Sequence, residues 1–252
     1  MEKITSRKNE TIRAWRLLTL DGAARRERRE YVCDGRKLLR DALDAGSEVT
    51  SILWKNEAAA IDVPGTVRQC IADGELFDYV SPMKNSPGPL FTVRMPAEDK
   101  ETPLRNALVL ETVQDPGNVG TLIRTANAFG IDAVILCGDC ADLYHPKTVR
   151  ATMGAIFRQR VLTMGLDELR LLLERSSLPL YGAALHQDSA LITEVSLSSA
   201  AVAIGSEGRG LSEELLKLCE RTLFIPMQAQ SESLNAAVAG SLVLWEMIRN
   251  QI

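Results

Sequence analysis

Three stretches of the chain place polar, cationic and glycine residues directly after apolar runs: ETVQDPGNVGTLIRTANAFG (111–130), IGSEGRGLS (204–212) and IPMQAQSESLNAA (225–237). Each begins where a strand-like segment ends and leads into a helix-like one. In open α/β sheets that junction, at the carboxyl ends of the strands, is where ligands bind. A dinucleotide calls for G-x-G-x-x-G with an acid about twenty residues on. The first stretch has only GNVG, and the second has glycines at 205, 208 and 210, so neither spacing fits. No G-K-[ST] marks a P-loop. Taken alone, Gly205, Gly208 and Gly210 suit a tight turn equally well. SLN (233–235) also reads locally as a helix start, with Ser231 and Ser233 as N-cap candidates and Glu232 placing acid in the first turn.

The remaining residues with chemical potential point elsewhere. Five scattered cysteines do not form a disulfide framework. Cys137 and Cys140 share a C-x-x-C spacing, but there is no second such pair, and His145 and His186 give no metal-ligand spacing with it. Cys137 ends the run AVILC, which reads as a buried strand running into a polar loop. No metal site is expected.

The elements that must position the three stretches follow from periodicity. From residue 107 onward ALVLE, AVILC, IFRQRVL, PLYGAAL, AAVAIG and RTLFIPM read as strands. NVGTLIRTANAFG, DELRLLLER, SEELLKLCE and SLNAAVAGSLVLWEMIRN read as helices between and after them. Continuous apolar strands alternating with helices imply an α/β fold with a mostly parallel sheet covered on both faces. The leading part reads as a smaller α/β unit. IRAWRLLTL is a short helix, and DGRKLLRDALDAG is a second, with Asp34 as its cap and Gly46 as its stop. EVTSILW is a strand, and GTVRQCI is another strand or the edge of one. LFDYVSPMKNSPGPLFTVRM supplies a helical turn, a Pro/Gly loop and a strand. The polar, proline-bracketed PAEDKETPLRN is the best linker. The expected division is 1–95, a linker at 96–105, and 106–252.

Net charge is −4 over 252 residues, but it is unevenly spread. Residues 1–40 carry 12 Lys and Arg against 6 Asp and Glu, a surplus of six positive charges that leaves −10 for the rest. Such asymmetry suggests a basic arm aimed at a polyanion. RRERRE (25–30) by itself is equally a solvated helix face. The opening MEKITSRKNE has no apolar core of a secretory leader, and no apolar run reaches membrane-spanning length, so a cytoplasmic location is expected.

The conjunction of motifs is more specific than any one loop. N-x-G-x-x-x-R-T-A at Asn118 to Ala126, G-S-E-G-x-G-L at 205–211, and I-P-M with S-L-N at 225–235 occur in that order. Over residues 106 to about 250 the chain resembles the SpoU (TrmH) family of the SPOUT superfamily, RNA ribose 2′-O-methyltransferases that use S-adenosylmethionine. HPKTVRATMGAIFRQRV between them also looks like that family's second-strand region. The basic leading unit is more loosely similar to the RNA-binding domain that often precedes the catalytic one. The resemblance implies a deep trefoil knot in the C-terminal part, a bent methyl donor held by the knotted loops, and a homodimer through the knot region. The apolar Leu242, Val243, Leu244, Trp245 and Ile248 of the last helix are too many for one narrow face, which agrees with a second partner surface.

Carried over residue by residue, the resemblance places Gly205, Ile225 and Leu234 at the donor, with Met227 as an apolar wall. It places Arg124 at the catalytic arginine. Asn118 and Asn235 offer both donor and acceptor groups for fixing ribose or loop geometry. Glu207 is expected to hold the arginine or a backbone N–H, and Ser233 to orient the hydroxyl or to cap. Arg25, Arg26, Arg28 and Arg29, with Lys147, Arg150 and Arg209, are the RNA-contact candidates. The leaving group is a neutral thioether, so the chemistry needs no metal. The appended N-terminal unit leans toward ribosomal RNA, specifically 23S, with transfer RNA as the alternative. A non-catalytic RNA binder that kept the fold is opposed by the intact Asn118, Arg124, Glu207, Ser233 and Asn235 set. A redox dehydrogenase lacks the glycine spacing.

Overall fold

The computed structural model describes residues 1–56, 61–184, 188–206, 208–228 and 233–250. They form two compact units, Met1–Ala97 with Asp142–Phe157, and Glu98–Ala141 with Arg158–Ile252. The segment 142–157, which the sequence places in the larger domain, therefore belongs by its contacts to the smaller unit.

The first unit is built on a five-stranded mixed sheet. In chain order come β1 (Glu2–Ile4), α1 (Glu10–Leu20), α2 (Gly22–Arg28), β2 (Glu30–Asp34), α3 (Arg36–Asp44), β3 (Val49–Trp54), β4 (Arg68–Ala72), α4 (Gly74–Val80) and β5 (Leu90–Arg94), with spatial order β1-β4-β3-β5-β2. Asn9 caps α1, its Oδ1 accepting the Thr11 N–H at 2.8 Å, and the helix buries Ile12, Trp15 and Leu18. Those side chains join Val32, Leu53, Phe77 and Leu90 in one core.

Two expectations are corrected here. Asp34 does not cap α3, whose N-cap is Gly35 at φ 118° with no side-chain hydrogen bond. Asp34 ends β2 instead, and its oxygens accept from the Ser81 and Ser86 hydroxyls at 3.0 and 2.5 Å. RRERRE is not uniformly a surface either. Asp21 caps α2, and Arg25 is only 2% exposed. Its guanidinium donates to Asp142 Oδ2 at 2.7 Å and to the Leu18 carbonyl at 2.7 Å. Arg25 is thus committed to the core of this unit and is withdrawn from the RNA-contact candidates.

The second unit carries β6 (Ala107–Glu111), α5 (Pro116–Ala128) and β7 (Ala133–Cys137). Next in the chain is α6 (Pro146–Ala151), which packs on β2 of the first unit. Then follow β8 (Val161–Met164), α7 (Leu166–Ser176), β9 (Leu180–Ala183), β10 (Ala190–Leu191), β11 (Ala201–Ile204), α8 (Glu213–Leu216), β12 (Arg221–Phe224) and α9 (Ala236–Ile248). The seven strands run β10-β12-β9-β11-β6-β7-β8, and every pairing is parallel. All residues of β6, β7 and β11 are buried, which is why each reads as an unbroken apolar run. IFRQRVL, expected to be one strand, is strand only over Val161–Met164, and Ala155–Phe157 form a 3₁₀ turn. Cys137 is fully buried at the end of β7, and burial pushes its thiol up to about 12. No helix among the described residues is long and apolar enough to cross a membrane.

Candidate active site

All seven strands are parallel, so the turns leaving β6, β11 and β12 emerge along one edge of the sheet. Those turns are the three sequence stretches. In the first, the Asp115 carboxylate caps α5 by accepting the Asn118 N–H at 2.8 Å, with Pro116 at the first turn, where its missing N–H costs nothing. In the third, Asn235 is the N-cap of α9, and its Oδ1 accepts from Ala237 N at 2.9 Å and Val238 N at 3.3 Å. The expected caps are corrected accordingly: Ser233 is an exposed residue two positions before the cap, and Ser231 lies outside the described residues.

The two helix starts are tied together. Asn235 Nδ2 donates to Asn118 Oδ1 at 3.1 Å, across 117 residues of sequence. Below that bond α5 and α9 lie in close contact, and a Cβ on Gly240 would stand 2.4 Å from Leu122 Cδ2. Two N-termini, each with the positive end of a helix dipole, thus meet at Asn118 and Asn235. Negative charge that develops there is favoured.

Beside this pair, Ile225, Met227, Ser233 and Leu234 gather with Ala183, Ala184 and Phe224 around one cavity of 180 Å³. Of the donor positions expected from the sequence, three share this wall. The lining is apolar apart from the Ser233 hydroxyl and loop backbone, which suits a flat aromatic ring edged by N–H and C=O groups. The adenine of S-adenosylmethionine meets that requirement. Gly205, the fourth expected donor position, does not line this cavity and instead follows β11, the strand beside β9. Ile204 pairs with Ala183 in the sheet, and the next residue, Gly205, is buried where a Cβ would lie 2.2 Å from the Gly210 carbonyl carbon. Close backbone approach fixes this glycine, and Gly210 at φ 68° completes the turn with its N–H on Ser206 O at 2.9 Å.

Sequence reasoning missed Glu111. This buried carboxylate at the end of β6 accepts from Ser212 N at 2.7 Å and Ser212 Oγ at 2.6 Å, while Ser212 caps α8. It pins the exit of the glycine turn to the strand that leads into α5. The available signal was a lone acid terminating ALVLE.

Other candidates are more dispersed. Arg124 stands on the exposed side of α5, opposite buried Leu122, Ile123 and Ala126. Arg209 is exposed in the glycine turn, and Glu207 lies outside the described residues. Lys147 and Arg150 are exposed on α6, in the other unit. Arg26, Arg28 and Arg29 are exposed on and just after α2, and Arg29 Nη2 also donates to the Pro96 carbonyl at 3.1 Å. Among the described residues no group of three or more His, Cys, Asp or Glu is placed to hold a metal ion.

Residues 105–245 match the model of the SpoU rRNA Methylase family. The chain is 33% identical over 249 residues to the 23S rRNA (guanosine(2553)-2′-O)-methyltransferase RlmP of Bacillus subtilis, covering 98% of this chain and 99% of that protein. It is 29% identical to the 23S rRNA (uridine(2479)-2′-O)-methyltransferase of Streptomyces viridochromogenes, covering 99% and 93% of the two chains. In structure it is similar to the AdoMet-bound rRNA methyltransferase of Sinorhizobium meliloti, with a TM-score of 0.91 at 26% identity over 100% of this chain and 98% of that one. A family match across more than half of the chain, an end-to-end relative and a ring-sized cavity at the motif loops agree, and the chain belongs to the SpoU rRNA methylase family of S-adenosylmethionine-dependent RNA 2′-O-methyltransferases.

Proposed function

We propose that this protein methylates a ribose 2′-hydroxyl in 23S ribosomal RNA, working in the cytoplasm as a homodimer. The observation that carries the reading is the gathering of Ile225, Met227, Ser233 and Leu234 around one cavity on the sheet edge that also bears the Asn118–Asn235 pair. The Bacillus and Streptomyces relatives named for 23S rRNA favour that RNA over transfer RNA.

When bound, S-adenosylmethionine supplies a methyl group on a sulfonium that leaves as a neutral thioether. Backbone groups at Gly205, Ile225 and Leu234 hold the donor, and Met227 covers it. A ribose hydroxyl is a very weak acid, so charge builds on its oxygen as the methyl arrives. Arg124 holds that charge and an adjacent phosphate, and the hydroxyl proton is released to solvent water as the O–CH3 bond forms and the S–CH3 bond breaks. A guanidinium stays protonated, so Arg124 acts as a cation and not as a base. Asn118 and Asn235 keep the two helix starts aimed at the same point, Ser233 orients the hydroxyl, and Glu207 is assigned from the family motif to hold Arg124 or a backbone N–H. Lys147, Arg150 and Arg209 add phosphate contacts. The trefoil knot is part of the same proposal, supported by the family match over residues 105–245. Residues 1–95, together with 142–157, are proposed as the RNA-binding unit, and the rest of 106–252 as the catalytic one, with 96–105 as the first connection between them.

The test is ribose-methylation mapping across total RNA from cells with and without the gene. One missing 23S mark is expected. A mark missing from transfer RNA instead would redirect the substrate, and no missing mark in any RNA would refute the reading.

Two further outcomes follow from the surface. Replacing exposed Arg26, Arg28 and Arg29 by Ala weakens RNA binding and flattens its salt dependence. Every phosphate that is no longer neutralised takes about 0.7–0.9 off the slope of log K against log salt. An unchanged slope in filter-binding titrations returns this helix to a solvated face. On α9, Val243, Leu244 and Ile248 belong to the core, whereas Val238, Leu242 and Trp245 are 42–49% exposed at helical spacing. This stripe is the proposed dimer contact, so Leu242→Glu with Trp245→Glu converts a dimer to a monomer in light scattering. A wild-type protein that is monomeric at micromolar concentration contradicts it.

A further inference from the structure

The first unit holds a cavity of 410 Å³ that the methyl-transfer residues do not line. It lies between the end of β2, α3, the loop after α4, and α6. Val32, Leu38, Met83 and Val149 make apolar walls. Lys84, Lys147 and Arg150 are exposed and form a cationic rim from two separate elements. A single carboxylate, Asp34, stands among them.

Asp34 is held in a fixed orientation. The Ser81 hydroxyl, nearly buried, donates to Oδ2 at 3.0 Å, and the Ser86 hydroxyl, fully buried, donates to Oδ1 at 2.5 Å. Burial pushes its carboxyl above the usual range, against the pull of the Ser86 and Ser81 hydrogen bonds and the charges of Arg150 and Lys55. A carboxylate has about four acceptor positions, so each oxygen keeps one beyond its serine. The geometry is a pair of adjacent acceptors on an apolar-walled site with cations at the mouth.

A flat ring with two adjacent N–H donors, attached to a phosphate chain, fits these three features together. Among the RNA bases only guanine has side-by-side donors on its Watson–Crick edge, at N1 and N2. Adenine and cytosine set a ring acceptor next to their amino group, and uracil flanks its single N–H with carbonyls. Sequence-specific RNA recognition works mainly on unstacked, single-stranded bases of this kind. We propose that this cavity takes an unpaired guanine of the RNA substrate, read by Asp34 and anchored through its phosphates by Lys84, Lys147 and Arg150. The inference rests on the RNA-methyltransferase reading and adds a base specificity to it.

The test is fluorescence-anisotropy binding of U-rich oligoribonucleotides that carry one central guanine, inosine, adenine or cytosine. Wild-type protein is expected to favour guanine at least about tenfold over adenine and cytosine, with inosine, which lacks the 2-amino donor, in between. Asp34→Asn removes one acceptor and abolishes the preference. Met83→Trp, which fills the cavity and leaves the Asp34–serine bonds in place, does the same, and it decides the matter if Asp34→Asn does not fold. Equal binding of all four oligonucleotides by wild type, or an undiminished guanine preference in a folded Asp34→Asn or Met83→Trp protein, overturns the proposal. Free GMP binding as tightly as the guanine oligonucleotide also overturns it, since the occupant is then a mononucleotide. Calorimetry with S-adenosylmethionine separates the two readings. Donor binding without guanine preference sinks only this inference, and failure to bind the donor sinks the enzymatic one.

Discussion

Arg124→Ala lowers methyl transfer about 100- to 1,000-fold and leaves S-adenosylmethionine affinity close to wild type. The first half rests on charge. A preorganised cation beside an oxygen that turns negative only in the transition state is worth about 3–4 kcal/mol when removed. The second half rests on placement. The proposed donor cavity is lined by β9, β12, α9 and the segments after β9 and β12 and leading into α9, and no residue of α5 contributes to it. Arg124 lies six residues beyond Asn118, about 9 Å along the axis of α5, on the exposed side. Alanine is the best helix former, so the substitution does not unravel α5. Arg124→Lys recovers part of the rate, because an ammonium supplies charge but not the planar fork that spans a phosphate and a hydroxyl. Single-turnover methylation and donor calorimetry on each variant check both halves. An alanine variant within a few-fold of wild type in rate removes Arg124 from the mechanism.

What the sequence revealed and what it hid separate along one physical line. The strands β6, β7 and β11 were legible because burial on both faces leaves an unbroken apolar signature. Helix α5 was legible from its apolar spacing. Residues whose surroundings are assembled by distant segments were misread. Asp34 looks like a helix cap to its neighbours in sequence, yet its partners are Ser81 and Ser86. Arg25 looks like one more cation in RRERRE, yet its partner is Asp142. A buried arginine paired in this way cannot be told from an exposed one by local composition. Residues 142–157 illustrate the same limit at larger scale. They fall within the family-matched span, but their contacts place them with the first unit.

The site was legible as three motifs in order, and its geometry was not. The Asn235–Asn118 hydrogen bond and the shared wall of Ile225, Met227 and Leu234 depend on the parallel sheet bringing distant turns to one edge. Spacing within each motif contains no information about that. Glu111 escaped notice for the same reason, since an acid after four apolar residues gives no hint of Ser212, 101 positions away.

Gly205→Ala is the second large effect, and it acts through backbone. A Cβ at this position would lie 2.2 Å from both the carbonyl carbon and the oxygen of Gly210 and 2.6 Å from Leu211 N. No rotamer relieves such a clash, so the chain at 210–211 must move. It is held on its far side, where Glu111 grips Ser212 through two hydrogen bonds of 2.7 and 2.6 Å. The alternative is for Gly205 to retreat and carry Ile204 with it, which disturbs the pairing with Ala183 on the cavity wall. Overpacking of this kind typically costs about 1–3 kcal/mol, and every 1.4 kcal/mol is tenfold in affinity. The expected result is a folded protein with a lowered melting temperature and a donor affinity reduced about ten- to a hundredfold, with methyl transfer falling at least as far. Gly208→Ala is the matched control in the same turn, because a Cβ there meets nothing within 4 Å. Calorimetry with the donor and thermal melting should therefore separate the two variants. Equal affinity for Gly205→Ala and Gly208→Ala would show that the turn yields freely and that close backbone approach at Gly205 does not shape the donor site.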